Sequence, residues 1–364
     1  MASALNDNRM NTTFWKGRRV LLTGHTGFKG SWLALWLNSM GANVHGYALA
    51  PDTDPSLYEL ARIDDLVESC IGDIRDRDSL EAAVQAAQPE IVLHLAAQPL
   101  VRESFKDPVT TFDTNVMGTI NVLEAVRRCE SVKAVLVVTT DKCYQNREWD
   151  WGYRENEALG GHDPYSASKA CTELVAQSWR LSFMGATGED ARHCAVATAR
   201  AGNVIGGGDW AKDRLIPDLL NSIANNKDVV LRNPNAIRPW QHVLEPLAGY
   251  LMLAEKLYTE GEPWTQAWNF GPHDADARSV SWIVEQLIRE CESSAGWQLE
   301  SAAQPHEAQH LKLDCSKARQ QLGWNPVWNL EHCLKEIARW HSAWKDGADM
   351  QQESLETIQR FSKL

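Results

Sequence analysis

Three groups of residues in this sequence have the types and spacing to do chemistry together. The first is Thr23-Gly-His-Thr-Gly-Phe-Lys-Gly30, with glycines at 24, 27 and 30. Glycines so spaced permit a tight turn and let a backbone approach a pyrophosphate closely. A helix that starts there offers free N–H groups and a positive dipole end to the phosphates. The second is Tyr165-Ser-Ala-Ser-Lys169. Residues i and i+4 share a helix face, so Lys169 is expected beneath the Tyr165 phenol. A nearby cation favours phenolate and lowers a pKa that is about 10 in water. The pair then makes a base that can take a proton from a hydroxyl while hydride leaves the same carbon. The third is Thr139-Thr140-Asp141-Lys142: a hydroxyl to hold the reacting group, followed by a carboxyl and an amine side by side.

These groups need a scaffold, and the apolar pattern supplies one. Strands are expected over 18–23, 43–49, 67–72, 91–95, 134–139 and 195–200, and helices over 28–40, 79–87, 112–129 and 165–183. Near-continuous apolar strands alternating with helices argue for a parallel sheet covered on both faces. The fold class is therefore α/β, a Rossmann-type doubly wound sheet. The glycine loop joins the first strand to the first helix, the context that makes such a loop a dinucleotide site. Thr139–Lys142 ends a strand at the carboxyl edge, where such sheets bind ligands. After about Ala201 the rhythm breaks. Helices are expected over 215–224, 280–292 and 330–344 and a short strand over 228–232, in a smaller mixed α/β lobe. The expected division is a disordered tail over 1–13, a dinucleotide-binding domain over 14–201 with about 236–272, and a substrate-binding lobe over about 202–235 with 273–364.

The cofactor's adenosine end is less legible. The acidic residue that usually follows the glycine loop by about 20 positions is missing: the second strand ends near Ala48 without a carboxylate or an arginine. NAD is expected, with NADP open at this position, and Asp73 past the third strand is a candidate adenine contact. A net charge of −12 makes the chain a poor general binder of nucleic acid or anionic membrane. No apolar run nears the roughly 20 residues that span a bilayer, and the first 13 residues lack an apolar signal core, so a cytoplasmic location is expected. Eight cysteines without a CxxC or a Cys/His cluster read as reduced, mostly buried residues, and no metal site is expected.

The chain resembles the extended short-chain dehydrogenase/reductases, the NAD-dependent sugar epimerase/dehydratase family. The motifs are TGHTGFKG, HLAAQPLVRES (His94–Ser104), Asn115 in TNVMGT, YSASK, ARAGNVIG (Ala199–Gly206), IRPWQHV (Ile237–Val243) and NFG (Asn269–Gly271). Within it, the Thr-Asp-Lys triplet points to sugar-nucleotide 4,6-dehydratases. Lysine in place of the usual glutamate, with the HTGFKG loop, implies CDP-D-glucose as substrate and CDP-4-keto-6-deoxy-D-glucose as product, in deoxysugar biosynthesis for surface polysaccharide such as lipopolysaccharide O-antigen.

The resemblance implies roles residue by residue. Tyr165, Lys169 and Thr140 serve C4 oxidation, Asp141 protonates the departing 6-hydroxyl, and Lys142 stands in the place of the C5 base or stabilises the enolate as a cation. Gly24, Thr26, Gly27, Phe28, Lys29, Gly30, Asp73, Ile74, Leu95, Ala96, Ala97, Asn115 and Thr139, with Tyr165 and Lys169, hold NAD. Ser104, Asn203, Arg214, Arg232 and Arg238 hold substrate. His25 and Lys29 are expected to face solvent or the ribose rather than catalyse. A homodimer or homotetramer is implied, with 112–129 and 165–183 as interface helices. The alternatives are a 4-epimerase or another nucleotide-sugar dehydratase, which shares Tyr165 and Lys169, and a non-catalytic NAD-binding protein, which would tend to lose one of them.

Overall fold

A computed structural model describes residues 11–184, 193–300 and 311–363. Seven parallel strands form the main sheet: β1 Arg19–Thr23, β2 Asn43–Ala48, β3 Glu68–Ile71, β4 Ile91–His94, β5 Ala134–Val138, β6 Ala195–Ala201 and β7 Ala267–Phe270, in the order β7-β6-β5-β4-β1-β2-β3. The chain returns to the middle between β3 and β4, so the order reverses beside β1. The carboxyl ends of β1 and β4 diverge there and open a crevice.

Both faces are covered, which is why the strands read as unbroken apolar runs. One face packs under α1 (Phe28–Ser39) and a later helix, Leu244–Glu260. The other packs under the helices Arg77–Ala87, Gly118–Arg127 and Pro164–Ser182. Every residue from Gly30 to Leu37 of α1 is buried. A helix apolar all round must be enclosed, and its outer side is closed by Met350–Ser362, where Phe361 meets Trp36 at 5.7 Å.

Several expectations are corrected here. The C-terminal helix Met350–Ser362 was not expected, because its inward stripe includes Ser354 and Thr357 and so reads weakly apolar. It packs on α1 beside the sheet, although the sequence places 273–364 in the lobe. One continuous core runs from Trp15 to Phe361 through both parts. The helix expected over 112–129 starts earlier, at Pro108, and widens into a π-turn at Asp113–Met117 before Gly118–Arg127. The tail expected over 1–13 lies outside the described residues as far as residue 10, but Thr12–Trp15 is already helical and Trp15 is buried.

Glu245, in the first turn of Leu244–Glu260, ties the lobe to the sheet: its carboxyl accepts the N–H groups of Val327 and Trp328 at 2.7–3.1 Å. Burial pushes its pKa up from 4.5 to about 7. A raised folded-state pKa means stability present below the unfolded value of 4.5 and lost as pH rises through about 7. The expected loss is on the order of 3 kcal/mol. Thermal unfolding of Glu245→Gln against the parent should therefore show the variant gaining relative stability between pH 5 and pH 8. A parallel pH dependence of the two proteins would refute this.

Candidate active site

The crevice at the carboxyl edge is a cleft of about 1180 Å³ between the sheet and the lobe. Its floor is the glycine loop. Gly24 adopts φ +79°, and a side-chain carbon there would stand 2.8 Å from the Ala96 nitrogen; one on Gly30 would stand 1.9 Å from the Gly24 oxygen. Neither position admits a larger residue, so loop and helix meet at the closest backbone approach. Gly27 is the N-cap of α1 and offers no side-chain cap, which leaves first-turn N–H groups as donors on the cleft floor. Thr26, Phe28, Lys29, Asp73, Ile74, Leu95, Ala96 and Ala97 also line the cleft. This cradle of tightly approached glycines and uncapped amides fits a dinucleotide pyrophosphate.

Opposite lies the helix that carries Tyr165. Asp163 caps it by accepting the Ser166 N–H at 2.9 Å, and Pro164 takes the first position, where a missing N–H is harmless. The phenol is thereby fixed in the first turn, with Lys169 one turn below. Lys169 donates to the Val138 carbonyl at 3.2 Å. Both groups are buried, and burial sets their protonation. It pushes Tyr165 up to about 12, opposed by a hydrogen bond with Thr140, and Lys169 down to about 8, opposed by Glu173. The phenol is thus raised where the spacing predicted a lowering: desolvation outweighs Thr140 and Arg214, which oppose it.

The turn after β5 completes the centre. Thr140 caps a short 3-10 turn, Asp141–Cys143, accepting the Lys142 N–H at 3.3 Å and donating to Asp141 Oδ1 at 3.1 Å. The other oxygen, Oδ2, is buried with no hydrogen-bond partner among the described residues. Burial raises the Asp141 pKa, opposed by Lys142, Thr140, Arg238 and Lys29. A raised, half-satisfied carboxyl facing a cleft is chemically able to hold a proton and give it up. Lys142, partly buried, lines the same wall.

Of the residues expected to hold substrate, Asn203, Arg214, Arg232 and Arg238 line the cleft. Arg214 pairs with Asp209 at 2.9 Å; Arg232 pairs with Glu300 and with Asp213 at 3.2 and 3.4 Å. Ser104 does not reach the cleft: it is fully buried and its hydroxyl donates to the Val101 carbonyl at 2.6 Å. Two residues earlier on that turn, Arg102 faces the cleft instead and meets Asp213 at 2.9 Å. Asn115 is also off the cleft wall. Its amide is spent on Gln98 and Ser168, at 2.8–3.1 Å, and so holds the loop after β4 against the Tyr165 helix. Asp73 lines the cleft with its carboxylate already clamped by Arg75 at 2.6–3.1 Å, which holds its pKa low.

His25 departs from its expectation. It is buried, bonds Ser69 at 2.7 Å, and burial lowers its pKa to about 4. Lys29 points into the site rather than to solvent: burial, with Arg214 and Lys169 nearby, lowers it to about 7. Sequence reasoning passed over Arg102, Asp209 and Glu173. Arg102 stood inside a quoted motif, and its alternation with Ser104 along one helical turn was the available signal.

Comparison with known proteins agrees with this geometry. A family model described as GDP-mannose 4,6 dehydratase matches residues 21–337. A CDP-glucose 4,6-dehydratase of Salmonella typhimurium is 56% identical over 341 residues, covering 94% of this chain and 95% of that one. A UDP-glucose 4-epimerase of Pisum sativum is 24% identical over 353 residues, covering 89% and 95%. Among solved structures, a dTDP-glucose 4,6-dehydratase from Streptomyces venezuelae with NAD bound shares the fold, with TM-score 0.75, 20% identity and coverage of 92% and 99%. The matched span takes in the glycine loop, the Thr139–Lys142 turn and the Tyr165 helix together, and the chain belongs to the GDP-mannose 4,6 dehydratase family of sugar-nucleotide enzymes.

Proposed function

We propose that this chain is a CDP-glucose 4,6-dehydratase, an NAD-dependent hydro-lyase that converts CDP-D-glucose to CDP-4-keto-6-deoxy-D-glucose and water. The observation that carries the reading is the buried, half-satisfied Asp141 carboxyl beside Lys142, on the same wall as Tyr165. A 4-epimerase has no use for that acid–base pair. The 56% identity to the Salmonella protein supports the nucleotide.

The glycine cradle holds NAD, which supplies the hydride acceptor for C4 and the hydride donor for C6. Thr140 orients the 4-hydroxyl and Tyr165 takes its proton, while the ammonium of Lys169 beneath stabilises the phenolate. The resulting 4-ketone acidifies C5–H. Lys142 removes that proton as Asp141 protonates the C6 oxygen, and water leaves; Lys142 then returns a proton to C5 as C6 accepts hydride. Asp141 is suited to donate because burial keeps its proton on. Arg238, Arg232 and Arg214 hold the diphosphate, where guanidinium geometry suits bidentate contact, and Asn203 contacts the same phosphates.

A second copy completes the assembly in this reading. Val109, Met117, Leu174 and Leu181 stand exposed on Pro108–Met117 and the neighbouring Tyr165 helix, an apolar face suited to a homodimer. Eight free cysteines suit a reducing cytoplasm.

Incubation with CDP-, dTDP-, UDP- and GDP-glucose tests the function. Formation of a base-absorbing 4-keto product from CDP-glucose is expected; turnover of dTDP-glucose with none of CDP-glucose overturns the nucleotide assignment.

A further inference from the structure

Below the catalytic helix lies a buried ion pair that the mechanism above does not use. Glu173 sits one turn beyond Lys169 on the same helix, and Arg200 on β6; their side chains are 4% and 3% exposed. The Glu173 carboxylate accepts four hydrogen bonds: from Thr139 Oγ1 at 2.5 Å, Thr198 Oγ1 at 2.7 Å, and Arg200 Nε and Nη2 at 3.0 and 2.9 Å. Arg200 Nη1 in turn donates to the Tyr144 hydroxyl at 2.8 Å and the Glu155 carbonyl at 3.1 Å, and Tyr144 donates to Asn269. The carboxylate is thus bonded to the first residue of the Thr139–Lys142 turn. The residue before it, Val138, receives the Lys169 ammonium.

We infer that Glu173, locked by Arg200, is a positioning residue: it sets the negative charge beneath Lys169 and pins the start of the turn that carries Thr140 and Asp141. The inference rests on the dehydratase reading only for its kinetic readout. The groups that face Lys169 leave this role to Glu173. On its own helix this is Glu173; on β4, His94; after β5, Cys143; on α1, Lys29, which itself meets Asp141. His94 is buried between Thr23 and Thr119, and burial keeps it neutral. Burial likewise keeps the Cys143 thiol protonated and raises Asp141. Lys29 is a like charge. Glu173, which four donors keep ionised, is the anion that opposes the desolvation of Lys169. A carboxylate with two cationic neighbours serves more than its own ion pair, because Arg200 alone would neutralise it.

The test uses the full chain. Glu173→Gln removes the charge and leaves Arg200 uncompensated in the interior, a strongly destabilising change; the companion variant E173L/R200M replaces the pair with apolar side chains. Lys169 ionisation is read by nitrogen NMR of labelled lysine, with Lys169→Met to assign the signal, and kcat for CDP-glucose is followed against pH. The expected result is a Lys169 ionisation about one pH unit lower in Glu173→Gln, a smaller shift of the same sign in the double variant, and a break in the pH profile of kcat, where it stops rising, that moves with it while KM changes less than about threefold. Lys169 ionisation unchanged in a folded variant overturns the inference. Failure of both variants to fold overturns it too, and assigns the pair a purely structural role. If the parent protein turns over no CDP-glucose, the proposed substrate fails, while the NMR titration still decides the role of Glu173.

Discussion

Tyr165→Phe is expected to lower kcat for CDP-glucose by roughly 10²–10⁴-fold, the range that a lost general base removes, with the fold intact. The ring stays in its buried site and only the oxygen goes. That oxygen is bonded to Thr140 and raised to about 12 by burial, so its proton-accepting form grows as pH rises. Activity of the parent should accordingly climb with pH and level off as Lys169, lowered to about 8, gives up its charge, because the gain in phenolate is then offset by the loss of ammonium. Circular dichroism should be unchanged and the rate loss should appear already in C4 oxidation. A variant within about tenfold of the parent would remove Tyr165 from the reaction.

Asp141→Asn carries the second large effect, and it splits the reaction. The amide keeps the shape of the side chain and an oxygen for Thr140 but has no proton to give the C6 oxygen. C4 oxidation should continue while elimination slows by roughly 10²–10³-fold. Trapping a single turnover with borodeuteride and weighing the sugar should recover molecules labelled at C4 that retain the 6-hydroxyl. The sign with pH follows from the raised Asp141 pKa: the donor form is present below that pKa and is lost above it. Full elimination in the variant would move the acid role to another residue.

What could be read from the sequence is local. The glycine loop, the i,i+4 spacing of Tyr165 and Lys169 and the end of β5 just before Thr139 depend on neighbours within a turn or two. Backbone geometry there follows from residue type, and the strand runs announce a sheet covered on both faces.

The tertiary structure decided the rest. It turned Ser104 inward and Arg102 toward the cleft, spent Asn115 on Gln98 and Ser168, buried His25 against Ser69, and brought Lys29 into the site. It also laid the C-terminal helix over α1 and joined Glu173 to Arg200. Each of these turns on which distant segment covers a side chain. Burial also reversed the expected direction at Tyr165, because desolvation of a phenol is set by everything packed around it and no spacing along the chain records that.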